Sequence, residues 1–304
     1  MAGGGGPIVE CVPNFSEGRD EVVIARLRAA VAAVERVKLL DTHSDPDHNR
    51  TVLTFAGPIS QVSVAAMRVA REAVKRIDMR QHDGVHPRMG SIDVVPFAPL
   101  RGTSLDECAA AARQVARYLG EELGVPAFLY GAAAAPDRPR QLNQIRGRGH
   151  DSIGALGAAL RSPDFGPPAP HPTAGAVVVG ARLPLIAFNV TLDSSDIETA
   201  ERVARSVRES SGGLRRVQAL AFFLPSRGQV QVSTNLLDFH VTGLSAVLAA
   251  VRKLAAREGT TVVACELVGL LPAAALEGIE GETLPGTPGE GDTIESRLNI
   301  AGLS

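Results

Sequence analysis

Two short stretches hold the side chains best suited to moving protons and gripping charged groups. The first, Gln81 to Phe97 (QHDGVHPRMGSIDVVPF), carries His82, Asp83, His86 and Arg88. Imidazole titrates near neutrality, so one histidine can take a proton and return it within a reaction. Arg88 beside His86 favours the neutral ring, or offers a fork to a substrate carboxylate. The second, Asp41 to Arg50, carries Asp41, His43, Asp45, Asp47, His48 and Arg50. Together the stretches could ligate a metal, since His and carboxylates are common zinc ligands. Neither has helix-held spacing such as H-E-x-x-H, and the chain has no C-x-x-C, so no metal is expected. Alternatively the two loops meet without metal and bring carboxylates to His86. Each stretch alone also reads as a solvated turn.

The elements around them follow from pattern. Gly84, Pro87 and Gly90 exclude a helix, Pro87 pushes His86 into extended backbone, and Ser91 to Phe97 reads as a strand. Upstream, Ile8 to Val12 is a strand, Arg19 to Val34 a helix, Val37 to Leu40 and Thr51 to Phe55 strands, and Ser60 to Arg76 an amphipathic helix. The order β-α-β-β-α-β is the split, ferredoxin-like pattern. A helix over Leu105 to Leu123 and a strand over Ala127 to Tyr130 follow. From Ala132 to Pro172 regularity fades, with Arg138, Arg140, Arg146, Arg148 and Arg161 scattered along it. Ser162 to Pro172 (SPDFGPPAPHP) suits a linker or an ordered loop equally. Gly147-Arg148-Gly149 is too short a pattern to read.

Strands over Leu185 to Val190, Val217 to Leu224, Gln229 to Ser233 and Thr261 to Cys265, with helices over Ser195 to Val207 and Leu244 to Leu254, repeat β-α-β-β-α-β. The expected fold is therefore α+β: two ferredoxin-like subdomains with mixed sheets and outer helices, residues 1–181 and 182–304. Asn235, Asp238, His240 and Glu266 stand at strand ends, where capping is as good a reading as function. The stretch EGETLPGTPGEGD reads as a mobile surface loop.

At 304 residues, with 45% hydrophobic and 21% charged side chains, the chain suits a two-domain globular protein. A formal net charge of -2, 4% aromatics and no Trp argue against nucleic acid as partner. Three cysteines, Cys11, Cys108 and Cys265, are few, far apart and odd in number. They suggest a cytoplasmic protein without a disulfide framework. MAGGGGPIVE lacks a signal-peptide pattern, and no apolar run approaches a membrane span.

In order along the chain, VECVPNFSEG, LLDTHSDPDHNRTV, HPRMGSIDVVPF, LGVPAFLYG, PDFGP, GARLPLIAFNV, VSTNLLDFHVTGL and ELVGL resemble the glutamate formimidoyltransferases. The resemblance runs from about Val9 to about Pro272 and covers the transferase, without the cyclodeaminase fused to it in some relatives. It implies transfer of a formimino group from N-formimino-L-glutamate to the 5-nitrogen of tetrahydrofolate, a co-substrate, and a homodimer. It places the catalytic histidine at His86. It places the folate-contacting segment at Gly166, Pro167, Pro168, Ala169, Pro170, His171, Pro172, Thr173, Ala174 and Gly175. Animal members have an acidic residue where this chain has His43, with Asp45 two residues on.

The implied chemistry suits the residues. The donor is an amidinium, which a carboxylate such as Asp41 or Asp45 could orient. One proton must leave the attacking amine and one must reach the departing nitrogen, work for a single imidazole. Arg50 or Arg88 could fork the glutamate carboxylates, and Asn14, Ser16 and Asn235 could supply polar contacts. The alternatives are a relative acting on 5-formyltetrahydrofolate, a non-catalytic small-ligand binder and a metal-dependent hydrolase.

Overall fold

The computed structural model describes residues 6–138, 141, 142, 145, 162–300, 302 and 303. Arg140, Arg146, Arg148, Arg161 and the Gly147-Arg148-Gly149 pattern lie outside the described residues. The chain divides into two compact units, one ending at Arg182 and the other spanning Leu183–Leu303.

In the first unit, β1 (Val9–Cys11) and β2 (Asn14–Phe15) share one position between two neighbouring strands. Pro13 lies in the break between them, where its missing N–H costs the ladder nothing. Helix α1 (Glu21–Ala32) starts at Asp20, whose carboxylate accepts from the Val22 and Val23 amides. Strands β3 (Lys38–Asp45) and β4 (Arg50–Gly57) form a hairpin, and α2 (Ile59–Arg76) leads towards β5 (Ile92–Pro99). These strands lie antiparallel in the order β3, β4, β1/β2, β5. Helix α3 (Leu105–Glu121) opens on a capping box between Ser104 and Glu107. Strands β6 (Ala127–Gly131) and β7 (Val177–Ala181) then extend the sheet to seven strands, with β7 parallel to both β5 and β6.

One face of this sheet is apolar. Cys11, Phe15, Leu53, Phe55 and Phe97 pack with Leu27, Val62, Val69 and Val115 of the helices in one core. By strand alternation the opposite face of β1, β3 and β4 receives Glu10, Asp41, His43, Asp45, Arg50, Val52 and Thr54.

The second unit contains β8 (Ile186–Leu192), α4 (Ile197–Val207), β9 (Val217–Leu224), β10 (Gln229–Leu236), α5 (Leu244–Arg257) and β11 (Val262–Val268). Its sheet is antiparallel throughout, in the order β11-β8-β10-β9. Its strands follow the same order as the four antiparallel positions of the first unit: fourth, first, third, second. Phe188, Val190, Val232 and Leu236 meet Val203, Val207, Val247 and Val251 in its core. A short α6 (Ile294–Leu298) lies near the end.

Three expectations change. Strand β3 does not stop at Leu40: a bulge at that residue resets the register, and pairing continues to Asp45 opposite Arg50. Strand β7 was not legible in the sequence. The stretch around Glu282 is anchored: Glu282 pairs with Arg252 at 2.7 Å, and the Pro285 carbonyl accepts from the Cys265 amide at 2.8 Å. None of the described helices is long and apolar enough to cross a membrane.

Candidate active site

Extending β3 compresses the polar run into a tight turn over residues 46–49. The Asp45 carboxylate accepts from the His48 amide at 2.7 Å, so this carboxylate is engaged in shaping the turn. Asn49 closes it with a left-handed φ of 44°, which asparagine tolerates better than most residues. Its side chain is buried and works in three directions. Oδ1 accepts from the Gly18 amide at 2.9 Å, and Nδ2 donates to the Asp83 carbonyl at 2.9 Å and to His82 Nδ1 at 3.3 Å.

The turn and the His86 loop do meet. The Val85 amide donates to the Asp47 carbonyl at 3.2 Å. Arg88 donates to the carbonyls of His48 at 3.1 Å, Asn49 at 3.2 Å and His86 at 2.8 and 2.5 Å. Four of the five N–H bonds of a guanidinium are thus given to backbone, and Arg88 is a clamp joining the two loops. Gly84 allows this closeness, because a Cβ there would strike the His48 carbonyl and the Arg88 guanidinium.

His86 is half-buried, with its ring centroid 5.8 Å from that of His48. Its Nδ1 lies 2.8 Å from the Pro87 carbonyl, which can only accept. Nδ1 therefore carries the proton, and in the neutral ring Nε2 holds the lone pair. His82 is held neutral: burial, then the nearby Arg88 guanidinium, lower its pKa to about 4.

The stretch at Ser162 to Gly175 is ordered at both ends. The Asp164 and Phe165 amides donate to the Ala127 carbonyl, and the Asp164 carboxylate accepts from Leu129 at 2.8 Å. At the other end His171 and Gly175 exchange both backbone hydrogen bonds. The Thr173 and Ala174 amides donate to His171 Nδ1 at 3.3 and 3.0 Å, and burial lowers the pKa of this ring. A backbone seam then joins this loop to the strand following His86. Ser91 donates to Ala174 at 2.9 Å, Ala176 to Met89 at 3.0 Å, and Met79 to Thr173 at 2.8 Å. Gly90 and Gly175 face each other across it, and a Cβ on either would strike carbonyl oxygens of the other strand. Gly166, Pro167, Pro168, Ala169 and Pro172 remain exposed, Pro170, His171 and Thr173 half-buried, and Ala174 and Gly175 buried in the seam.

The other candidates distribute unevenly. Asp41 is half-buried on β3, and its carboxylate makes no hydrogen bond or ion pair among the described residues. Arg50 stands opposite Asp45 at the start of β4. Asn14, on β2, donates to the Val12 carbonyl at 3.1 Å. Ser16 is buried and donates to the Gly90 carbonyl at 2.7 Å. Asn235 lies in the second unit, on β10. No group of three or more His, Cys, Asp or Glu side chains converges as a metal site among the described residues.

Two residues escaped the sequence reading. Asn49 looked like one polar residue among many; its only signal is an asparagine closing a short hairpin turn, where φ > 0 is common. Glu10, which the sequence reading passed over, alternates with Val9 and Cys11 on the strand and is only 4% exposed. Burial lifts its pKa to about 7, against the lowering pull of Arg182.

Two adjacent family models match: the formiminotransferase domain, N-terminal subdomain, over residues 8–182, and the formiminotransferase domain over residues 187–279. The chain belongs to the formiminotransferase family. It is 44% identical over 274 residues to a glutamate formimidoyltransferase of Thermoplasma acidophilum, covering 88% of this chain and 89% of that one. A Streptococcus pyogenes protein of the same name is 40% identical over 272 residues, with 88% and 90% covered. A formimidoyltransferase-cyclodeaminase of Sus scrofa is 45% identical over 276 residues, covering 88% of this chain but 51% of the relative. The chain thus spans about half the length of the formimidoyltransferase-cyclodeaminase and most of the length of the two glutamate formimidoyltransferases.

Proposed function

We propose that this formiminotransferase moves the formimino group of N-formimino-L-glutamate to the 5-nitrogen of tetrahydrofolate, in histidine degradation, with His86 as the proton carrier. The observation that carries this reading is the backbone seam between Met89–Ser91 and Ala174–Ala176. It fixes the loop bearing a lone-pair Nε2 beside a proline-rich arch whose outer residues are exposed. Such an arch fits a large planar co-substrate: the prolines limit what must be ordered on binding, and its ends are already bonded to strands.

His86 accepts the proton leaving the acceptor's amine at Nε2 and returns it to the departing glutamate nitrogen, while the Pro87 carbonyl holds Nδ1–H in place. Asp41, with a half-buried carboxylate on β3, orients the cationic formimino group. Arg50 and Asn14 contact the glutamate part, whereas Arg88 and Asp45 act by shaping the loops. The shared strand order of the two units supports tandem ferredoxin-like subdomains, residues 1–181 and 182–304, working as a homodimer in the cytoplasm.

The test mixes the purified chain with both reactants and follows the formimino product by mass spectrometry. His86→Ala should lower the rate by about 10²–10⁴-fold with folate affinity kept. Wild-type turnover in that variant would move the role to another group, and no product from the wild type would refute the activity.

A further inference from the structure

Strand alternation gives the second unit a polar sheet face. Phe188, Val190, Val232 and Cys265 point into the helical core, so Asn189, Gln231 and Glu266 point to the other side. Glu266 pairs with Asn189 across β11 and β8, and Ser233 pairs with Asn189 across β10 and β8. Gln231 is two residues before Ser233, on the same face, as is Asn235 two residues after it. Asn189 is 3% exposed and Gln231 0%. Both amide nitrogens donate to one oxygen of Glu266, at 3.0 and 3.2 Å. Because a carboxylate accepts, those contacts fix which way each amide is turned. Asn189 Oδ1 and Gln231 Oε1 are then left buried with no hydrogen-bond partner among the described residues.

A buried carbonyl without a donor is costly, and a cluster serving only stability would be better built from apolar residues. Two such oxygens, held in place by one carboxylate, make an acceptor-rich spot that calls for N–H donors. We propose that Asn189, Gln231 and Glu266 form a recognition site for a planar N–C–N edge bearing N–H groups. The formimino group of the donor and the aminopyrimidinone edge of the folate both carry one. Which reactant supplies it rests on the proposed activity; the acceptor site itself does not.

Calorimetric titration of the full chain tests this with three probes: N-formimino-L-glutamate, 5-formyltetrahydrofolate and acetamidine, which carries the edge and little else. Glu266→Gln and Gln231→Leu should each weaken either N-formimino-L-glutamate or 5-formyltetrahydrofolate, which stands in for the folate reactant, by about tenfold or more, with the other within twofold. The reactant affected identifies the source of the edge. Both should also weaken acetamidine. The melting temperature of Glu266→Gln should equal or exceed that of the wild type, because the new amide can donate to one orphaned oxygen. Should Gln231→Leu fail to fold, the isosteric Glu266→Gln carries the test alone. If the wild type binds neither reactant, the proposed activity fails, while acetamidine binding lost in the variants would still uphold the site. Affinities for all three probes within twofold of wild type overturn the proposal.

Discussion

Glu10→Gln isolates the cost of a buried carboxyl. In the folded chain burial lifts the Glu10 pKa from an ordinary 4.5 to about 7. At about 1.4 kcal/mol per unit, that difference corresponds to ~3 kcal/mol. The sign follows from proton counts: between the two values the folded state keeps a proton that the unfolded state has lost, so stability falls as pH rises from 4.5 to 7. Below 4.5 both states are protonated and the cost vanishes. Glutamine has no proton to lose, so Glu10→Gln should gain ~3 kcal/mol relative to wild type between pH 4 and pH 8.5. Urea unfolding followed by tyrosine fluorescence reads it out. The chain has no Trp and two Tyr, Tyr118 and Tyr130, both in the first unit, so the signal reports the unit that contains Glu10. Parallel stability curves for the two proteins across that window would show that Glu10 ionises as an exposed residue does, and the reasoning from burial would fail.

Two further outcomes are expected. Asn49→Ala removes three hydrogen bonds and puts alanine at a positive φ. It should lower kcat by about 10–100-fold through a displaced His86 loop, with KM little changed, in a steady-state assay; a rise in KM alone would mean that Asn49 contacts substrate. Replacing Gly166–Thr173 by an equally long Gly/Ser stretch should raise the folate Kd about tenfold, since the preset backbone is lost. Unchanged affinity on titration would return the arch to a mere connection.

Legibility in the sequence varied with how local the cause was. Helix α4 was readable because Ala200, Val203, Ala204 and Val207 recur at helical spacing and are the residues it buries. Strand β7 was not, because Val177 to Ala181 is a short apolar run between irregular stretches, held by parallel partners far away in sequence. The far half of β3 hid behind its chemistry: Thr42, His43, Ser44 and Asp45 resemble a loop, and only pairing with β4 makes them a strand. His86 was read as a residue on a constrained loop and Arg88 as either favouring the neutral ring or forking a substrate carboxylate; nothing local reveals the three carbonyls that Arg88 reaches. The choice between linker and ordered loop at Ser162 to Gly175 turned on hydrogen bonds to Ala127, Met89 and Ser91 that no composition records.

The seam also sets when the proline-rich arch can be anchored beside the His86 loop. Its hydrogen bonds join positions about 85 residues apart in sequence, a long closure compared with the β3–β4 hairpin. The four antiparallel strands and their helices are complete once the chain has reached Pro99, whereas the partners of Met89 and Ser91 arrive only with Ala174 and Ala176. During synthesis or refolding the hairpin turn and the Arg88 clamp, whose partners all precede Pro99, can therefore form while the arch is still unanchored. Anchoring of the arch is the latest closure in this neighbourhood, and opening of the seam would release the arch while the clamp at Arg88 stays in place.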